Sequence, residues 1–264
     1  DLVVKENIRG EEGTYVDITV LRGENAEETP LHVERRSIEV PTVEYQMLEN
    51  QVGYIYVTQF DEVTAKQFED AIDDLEDQGM EKLVIDLRNN PGGVLDTAVE
   101  MLAYVLPEDK LDGMLVYTAD KNGEGDRYFC KDGKIQRESD DGSRDSRYPK
   151  EDDHELDVPL AVLVNGNSAS ASEVFTGAVM DYDAGIVVGT TTFGKGIVQN
   201  LIPLGDGTAI KLTTAHYYTP NGFDLHGKGL EPDVVVEMDE ELQKKAVVEL
   251  SEDNQLQAAI EAMN

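Results

Sequence analysis

Tryptophan is absent from this chain, and cysteine occurs once, at Cys130. A lone cysteine excludes an internal disulfide and a cysteine-built zinc site, and it leaves the redox compartment unspecified. Basic residues are scarce: 22 Lys and Arg face 55 Asp and Glu, for a net charge of −33. That balance excludes a nucleic-acid binder, which needs a Lys/Arg face to neutralise phosphates, and it opposes docking on an anionic membrane. Long apolar runs are missing too. The stretch from Leu160 to Val164 falls far short of the roughly 20 residues that cross a bilayer. No basic region followed by an apolar stretch opens the chain, so the N-terminus is not a signal peptide. It starts on Asp1 in what reads as mid-domain, and an excised piece of a longer protein is expected.

What is present suits a folded protein. The 264 residues are 40% apolar, enough for one large domain or for a domain with a fragment of another. The acidic residues alternate with apolar ones, unlike an acidic disordered tail.

Residues 1–50 differ from the rest. Leu2, Val3, Val4 and Ile8 fall on one side of a short helix, and Val16, Ile18 and Val20 alternate as one face of a strand. Residues 23–30 read as a polar turn, and 32–40 as a second strand. From Gly53 the pattern becomes α/β. Strands are expected at 53–57, 83–87, 115–118, 128–134, 160–164, 186–189, 196–204 and 209–218. Helices are expected at 64–78, 94–105, 170–180, 240–249 and 254–263. The charged stretch 139–157 reads as a mobile surface insertion.

Three segments invite a chemical reading. Asn165-Gly-Asn-Ser-Ala-Ser-Ala-Ser-Glu173 lies between a buried strand and a helix. That setting exposes a nucleophilic serine and aims helix N-terminal N–H groups at an oxyanion; helix capping by Ser and Asn is the competing explanation. Gly189-Thr-Thr-Thr-Phe-Gly-Lys-Gly196 follows most of the phosphate-loop pattern. However, Gly196 removes the magnesium-binding hydroxyl, and the following segment, with Pro203, is β-like, so no helix dipole faces a phosphate. Lys195, between two glycines, fits instead a desolvated general base or a turn lysine. The histidines His32, His154, His216 and His226 show no metal-ligand spacing, and Asp152-Asp-His-Glu155 is a solvated charged loop. Neither a metal nor a cofactor is expected.

Together the segments resemble the carboxyl-terminal processing peptidases, or tail-specific proteases. The likeness is carried by Gly53-Tyr-Ile-Tyr-Val57, Asp86-Leu-Arg-Asn-Asn-Pro-Gly-Gly93, the 164–173 segment and Gly194-Lys-Gly-Ile-Val-Gln199. Tyr217-Tyr-Thr-Pro-Asn-Gly222 and Gly227-Lys-Gly-Leu-Glu-Pro-Asp233 extend it. The resemblance implies a Ser–Lys dyad with Ser170 as nucleophile, Lys195 as base and Gln199 orienting the lysine. Spacing supports that register: Lys195 and Gln199 at i, i+4 share a side of an extended chain. The implied oxyanion hole joins the Ala171 N–H to one from Gly92 or Gly93, both of which stay candidates. One departure stands out, at Gly222-Phe-Asp-Leu-His-Gly227, where the family commonly shows Arg-Ser-Ile-Gln.

The expectation is therefore an α/β fold: a mixed β-sheet peptidase core with flanking helices at 53–264, joined by linker strands at 23–52 to a partial PDZ-like segment at 1–22. The resemblance implies protein or peptide substrates with exposed apolar C-termini, in an extracytoplasmic, cell-envelope setting reached through a missing N-terminal anchor. It leaves the oligomeric state open. The alternative is a catalytically silent relative acting as a tail-binding module.

Overall fold

The computed structural model describes residues 7–23, 26–36, 39–106, 113–131, 134–147, 156–205, 207–245 and 247–264. In chain order the elements are β1 (Tyr15–Arg22), β2 (Glu27–Glu34), β3 (Val43–Met47), β4 (Val52–Val57), α1 (Thr64–Asp77), β5 (Lys82–Asp86), α2 (Leu95–Val105), β6 (Met114–Ala119), β7 (Asp126–Lys131), β8 (Lys134–Ser139), β9 (Arg144–Arg147), β10 (Leu160–Val164), α3 (Ala171–Asp181), β11 (Ile186–Gly189), β12 (Ile197–Pro203), β13 (Ala209–Tyr218), β14 (Val234–Val235) and α4 (Asn254–Ala262).

The chain divides into two units, Asp1–Val40 and Pro41–Asn264. In the first, β1 and β2 form an antiparallel hairpin running from Tyr15 opposite Glu34 to Arg22 opposite Glu27. Val16, Ile18 and Val20 share its half-buried face, as their alternation requires. Residues 27–34 pair with the first strand, and β3 pairs with β4 of the second unit. The polar turn is also shorter than 23–30 and the second strand lies earlier than 32–40, because cross-strand pairing carries Glu27 to Pro30 into the ladder. Of the helix expected near the N-terminus, Leu2, Val3 and Val4 lie outside the described residues.

The second unit is built on a mixed six-stranded sheet in the order β14-β11-β10-β5-β4-β3, parallel except for β3. Its central strands are apolar on both faces because both faces are covered. Ile55, Leu83, Ile85 and Val162 pack with Phe68, Leu75 and Leu102 of α1 and α2 and Phe175 of α3. Val84, Ala161 and Leu163 point the other way, onto Leu256 and Ala259 of α4. The six antiparallel strands β12-β13-β6-β7-β8-β9 form a second sheet.

Two further expectations fail. The insertion at 139–157 contains a strand, β9, paired with β8 from Ile135–Arg147 to Glu138–Arg144; Asp152-Asp-His-Glu155 and its His154 lie outside the described residues. The helix at 240–249 is a set of turns around Asp239, which accepts the N–H groups of Leu242 and Gln243. Leu242 is buried but Val247 is 76% exposed, so this stretch has no continuous apolar stripe to hold a helix against the core.

Candidate active site

The site forms where parallel strands β5 and β10 end side by side, the edge at which open α/β sheets place their ligands. The turn after β5 carries Asn89 to Gly93, and the turn after β10 carries Asn165 to Ser170. Asparagines zip the two together. Asn89 N–H donates to Asn165 Oδ1 at 3.0 Å, while Asn165 and Asn167 donate their amides to Asn89 Oδ1 at 3.1 and 2.9 Å. Asn89 holds φ +63°, a conformation asparagine tolerates better than most residues. Buried Asn90 completes the junction: its carbonyl accepts Ala169 N–H at 3.0 Å, and its amide donates to Val57 O at 2.8 Å.

The three serines separate by environment. Ser168 and Ser172 are fully buried struts. Ser168 donates to Leu87 O at 2.7 Å, and Ser172 donates to Asn90 O at 3.0 Å. Ser170 is half-buried, at the N-cap of α3, with φ +59° and ψ −115°. Those angles lie outside the ordinary regions for a non-glycine residue, and the residue occupies a strand-to-helix turn. It also forms a capping box with Glu173. Capping and exposure of the side chain therefore coexist at one residue.

Glu173 is the group that residue-by-residue reading missed. Its side chain is fully buried and its two oxygens gather four donors. Oε2 accepts Ser170 N–H at 2.9 Å and Lys195 N–H at 2.8 Å. Oε1 accepts Thr192 Oγ1–H and Gly194 N–H, both at 2.6 Å. One carboxylate thus fixes the backbone of Ser170 against that of Lys195, 25 residues apart in sequence. The S-x-x-E spacing before an apolar run was the available signal; it announces a cap, and the further donors come from a distant loop.

The remaining candidates are distributed as follows. Gly92 sits against the serine: a Cβ there would come 2.8 Å from Ser170 Cβ and 2.5 Å from Ala169 O, at φ +94°. Its N–H donates to Asn90 Oδ1 at 2.9 Å. Gly93, at φ +149°, leaves no room for a Cβ beside Phe60 O. Among the described residues the N–H groups of Gly93 and Ala171 donate to no protein acceptor. Lys195 is half-buried between Gly194 and Gly196. No hydrogen bond joins its Nζ to Ser170 Oγ among the described residues. Gln199 is exposed and donates to Thr213 Oγ1 at 3.3 Å. Lys195 lies two residues before β12 begins, so the alternation expected to align it with Gln199 does not reach it.

Behind the β5 turn lies an ionic network. Arg88 donates to Asp86 and to Asp253 in buried contacts of 2.6 and 2.7 Å, and to Gln255 Oε1 at 2.9 Å. Burial pulls the Arg88 guanidinium down, and its bonds to Asp86 and Asp253 more than reverse this, leaving it above its usual range. Tyr54 donates to Asp86 at 2.7 Å, and burial first, then the Asp86 charge, pushes its hydroxyl up. Among the described residues no group of three or more His, Cys, Asp or Glu is placed to hold a metal.

Comparison with known proteins places this arrangement. Residues 51–236 match the profile of peptidase family S41. A probable CtpA-like serine protease of Staphylococcus aureus is 39% identical over 237 residues, covering 90% of this chain and 43% of the relative. Its counterpart in Staphylococcus haemolyticus is 38% identical over 236 residues, 89% of this chain and 42% of the relative. The chain spans less than half the length of these curated relatives. Among solved structures, the photosystem II D1 C-terminal processing protease superposes with a TM-score of 0.58 at 30% identity, over 86% of this chain and 57% of its own. A putative S41 protease of Bacteroides fragilis shares the fold at 17% identity, with a TM-score of 0.65 over 98% of this chain and 69% of its own. With the matched profile running from β4 to β14 and spanning both turns of the site, the chain belongs to peptidase family S41.

Proposed function

We propose that the chain is the catalytic core of a serine endopeptidase that cleaves proteins near their C-termini through Ser170 and Lys195. The observation that carries this reading is the Glu173 carboxylate, which binds the backbones of Ser170 and Lys195 into one frame. Ser170 Oγ attacks the scissile carbonyl carbon while Lys195 Nζ takes the hydroxyl proton. The tetrahedral oxyanion lies against the N–H of Ala171 and that of Gly93. Of the two glycines we choose Gly93, since the Gly92 N–H is already given to Asn90. Collapse expels the amine, which takes the proton from Lys195 and leaves an acyl-enzyme. Lys195 then deprotonates the water that releases the new C-terminus.

For this sequence Lys195 swings its Nζ toward Ser170 when substrate fills the cleft, a tightening common between resting and substrate-bound sites. Gln199 enters the dyad only if the same step frees it from Thr213. Substrates with exposed apolar C-terminal segments and an extracytoplasmic setting belong to the same proposal, as does a PDZ-like origin for the β1–β2 unit.

The test is turnover of a peptide with an apolar C-terminus, together with labelling by an active-site serine reagent. Ser170→Ala should lose both, and Lys195→Ala and Lys195→Arg should lose turnover, because a guanidinium stays protonated. Robust cleavage by Lys195→Arg at neutral pH ends the proposal. A wild-type chain that binds the peptide, resists labelling and never cleaves it would favour the tail-binding module.

A further inference from the structure

The place of Lys195 depends on the segments that flank it. Gly194 O accepts Gly227 N–H at 2.9 Å, and Gly196 O accepts Tyr217 N–H at 3.0 Å. Gly196 also lies so close to the 222–230 loop that a Cβ would come within 2.9 Å of His226 N. The lysine is therefore gripped from two directions, by β13 and by the very loop where the sequence departs from its family.

A cluster centred on Asp224 joins these two gripping segments. One carboxylate oxygen accepts His226 N–H at 3.0 Å, and the other lies 3.5 Å from His216 Nδ1 on β13. The His216 and His226 rings meet edge to face, 5.0 Å between centroids and 69° apart. The Asp224 backbone bridges to Tyr218. Lys228, on the same loop, donates to Asp224 O at 2.9 Å and holds its ammonium 5.1 Å from the Phe223 ring. Tyr218, stacked on Tyr117 of β6, is the nearby phenol; burial and then the Asp224 charge hold its hydroxyl above the usual range. The strands beside His216 oppose it with Ala119 of β6 and Ile197 of β12, neither of which carries charge. One imidazolium is thus matched by Asp224. Asp224 faces the His216 ring and takes only the backbone N–H of His226, so two imidazoliums with ring centroids 5.0 Å apart repel each other across the seam between β13 and the loop.

We propose that His216 and His226, acting through Asp224, are positioning residues for Lys195: the pair holds the 194–196 segment in place while at most one ring is charged, and loosens it when both are. The idea rests on Lys195 being the base, and its test separates the two. Histidine ordinarily changes charge between pH 5 and 8. With Lys195 and the cluster both required in deprotonated form, log kcat/KM should approach a slope of two against pH on the acid side. In His216→Gln/His226→Gln the slope should fall to one, a difference of about tenfold per pH unit. An unchanged slope overturns the proposal. Where the double variant does not fold, His216→Gln alone removes the repulsion and should give the same lower slope.

A second readout needs no catalysis. In a Ser170→Ala background, exchange of the Tyr217 and Gly227 amides, corrected for intrinsic pH dependence, should accelerate between pH 8 and 5.5. The same background with both histidines replaced should show no such acceleration. An identical acid response in both proteins overturns the clamp even if Lys195→Ala had shown the dyad reading itself to be wrong.

Discussion

Replacing Glu173 by glutamine tests the frame at its centre with almost no change in shape. The carboxylate accepts two donors on each oxygen, all between 2.6 and 2.9 Å. An amide keeps one accepting oxygen and turns the other into an N–H2; with the N–H2 on the Thr192 side both bonds to that oxygen are lost, the Thr192 hydroxyl turning to accept and Gly194 N–H left facing a donor. A buried hydrogen bond to a charged group contributes about 1.5–3 kcal/mol, giving a total of about 3–6 kcal/mol. Part of this goes into global stability. At about 2–4 °C per kcal/mol for a chain of this size, a loss of about 2–3 kcal/mol lowers Tm by about 4–12 °C. The rest misplaces Ser170 against Lys195, and about 2 kcal/mol there lowers kcat about 30-fold. Glu173 is buried beneath the crevice, so KM should hardly move. The assay is steady-state cleavage of a quenched fluorescent peptide, run well below the variant's Tm, with circular dichroism to follow unfolding. A variant that melts earlier yet keeps the wild-type kcat would show that Glu173 supports the fold only, and the frame argument would fall.

Three other outcomes follow from the same geometry. Ser172→Ala removes one of the two bonds that Asn90 O accepts, leaving it the Ala169 N–H, and should cost about 0.5–1.5 kcal/mol of stability, read by urea unfolding, while leaving measurable cleavage. If Ser172→Ala is dead and Ser170→Ala active, the nucleophile has been misassigned. Gly92→Ala forces a Cβ to 2.5 Å from Ala169 O and 2.8 Å from Ser170 Cβ at φ +94°, so it should abolish cleavage and lower Tm; full activity would mean that the β5 turn stands further from the serine. In alkali, Tyr54 and Tyr128 govern. Burial first, then Asp86, raises Tyr54, and burial pushes Tyr128 up to about 12. For a phenol raised in the folded state the stabilisation is complete below its unfolded value near pH 10, and it is lost as pH climbs through the folded one. The urea midpoint should therefore fall between about pH 10 and 12, and Tyr54→Phe with Tyr128→Phe should flatten that fall; an equally steep fall in the double variant would place the alkaline sensitivity elsewhere.

Where local pattern governs, the amino-acid sequence alone reveals the element. Helices α1 to α4 carry apolar residues at helical spacing beside clear stops such as Gly79, and the buried strands β5, β10 and β11 are short apolar runs. Two of the misreadings share one physical cause, which is that pairing overrides composition. Residues 27–30 look like a polar turn, yet each has a strand partner waiting on β1. Arg144–Arg147 looks like a solvated insertion, yet β8 offers it an unpaired edge. Residues 240–249 fail in the opposite direction, with charged helix formers but no surface to pack against.

The site divides along the same line. The pairing of Ser170 with Lys195 is what the family resemblance implies, and the fold joins their backbones through a carboxylate whose donors come from 170, 192, 194 and 195. Spacing along a strand places Gln199 beside Lys195, whereas the loop that precedes β12 breaks that alternation and leaves Gln199 with Thr213. Composition offers two equivalent glycines, which the fold sets apart: Gly92 lies against Ser170 with its N–H given to Asn90, and Gly93 lies against Phe60 O. For Ser170 and Lys195 the deciding contact joins segments far apart in sequence, which local pattern does not spell out. The proposed pair of Ser170 and Lys195, framed by Glu173, is sensitive to whatever moves the loop bearing the lysine. The two histidines at the edge of that loop are therefore the place to perturb activity without touching either reacting atom.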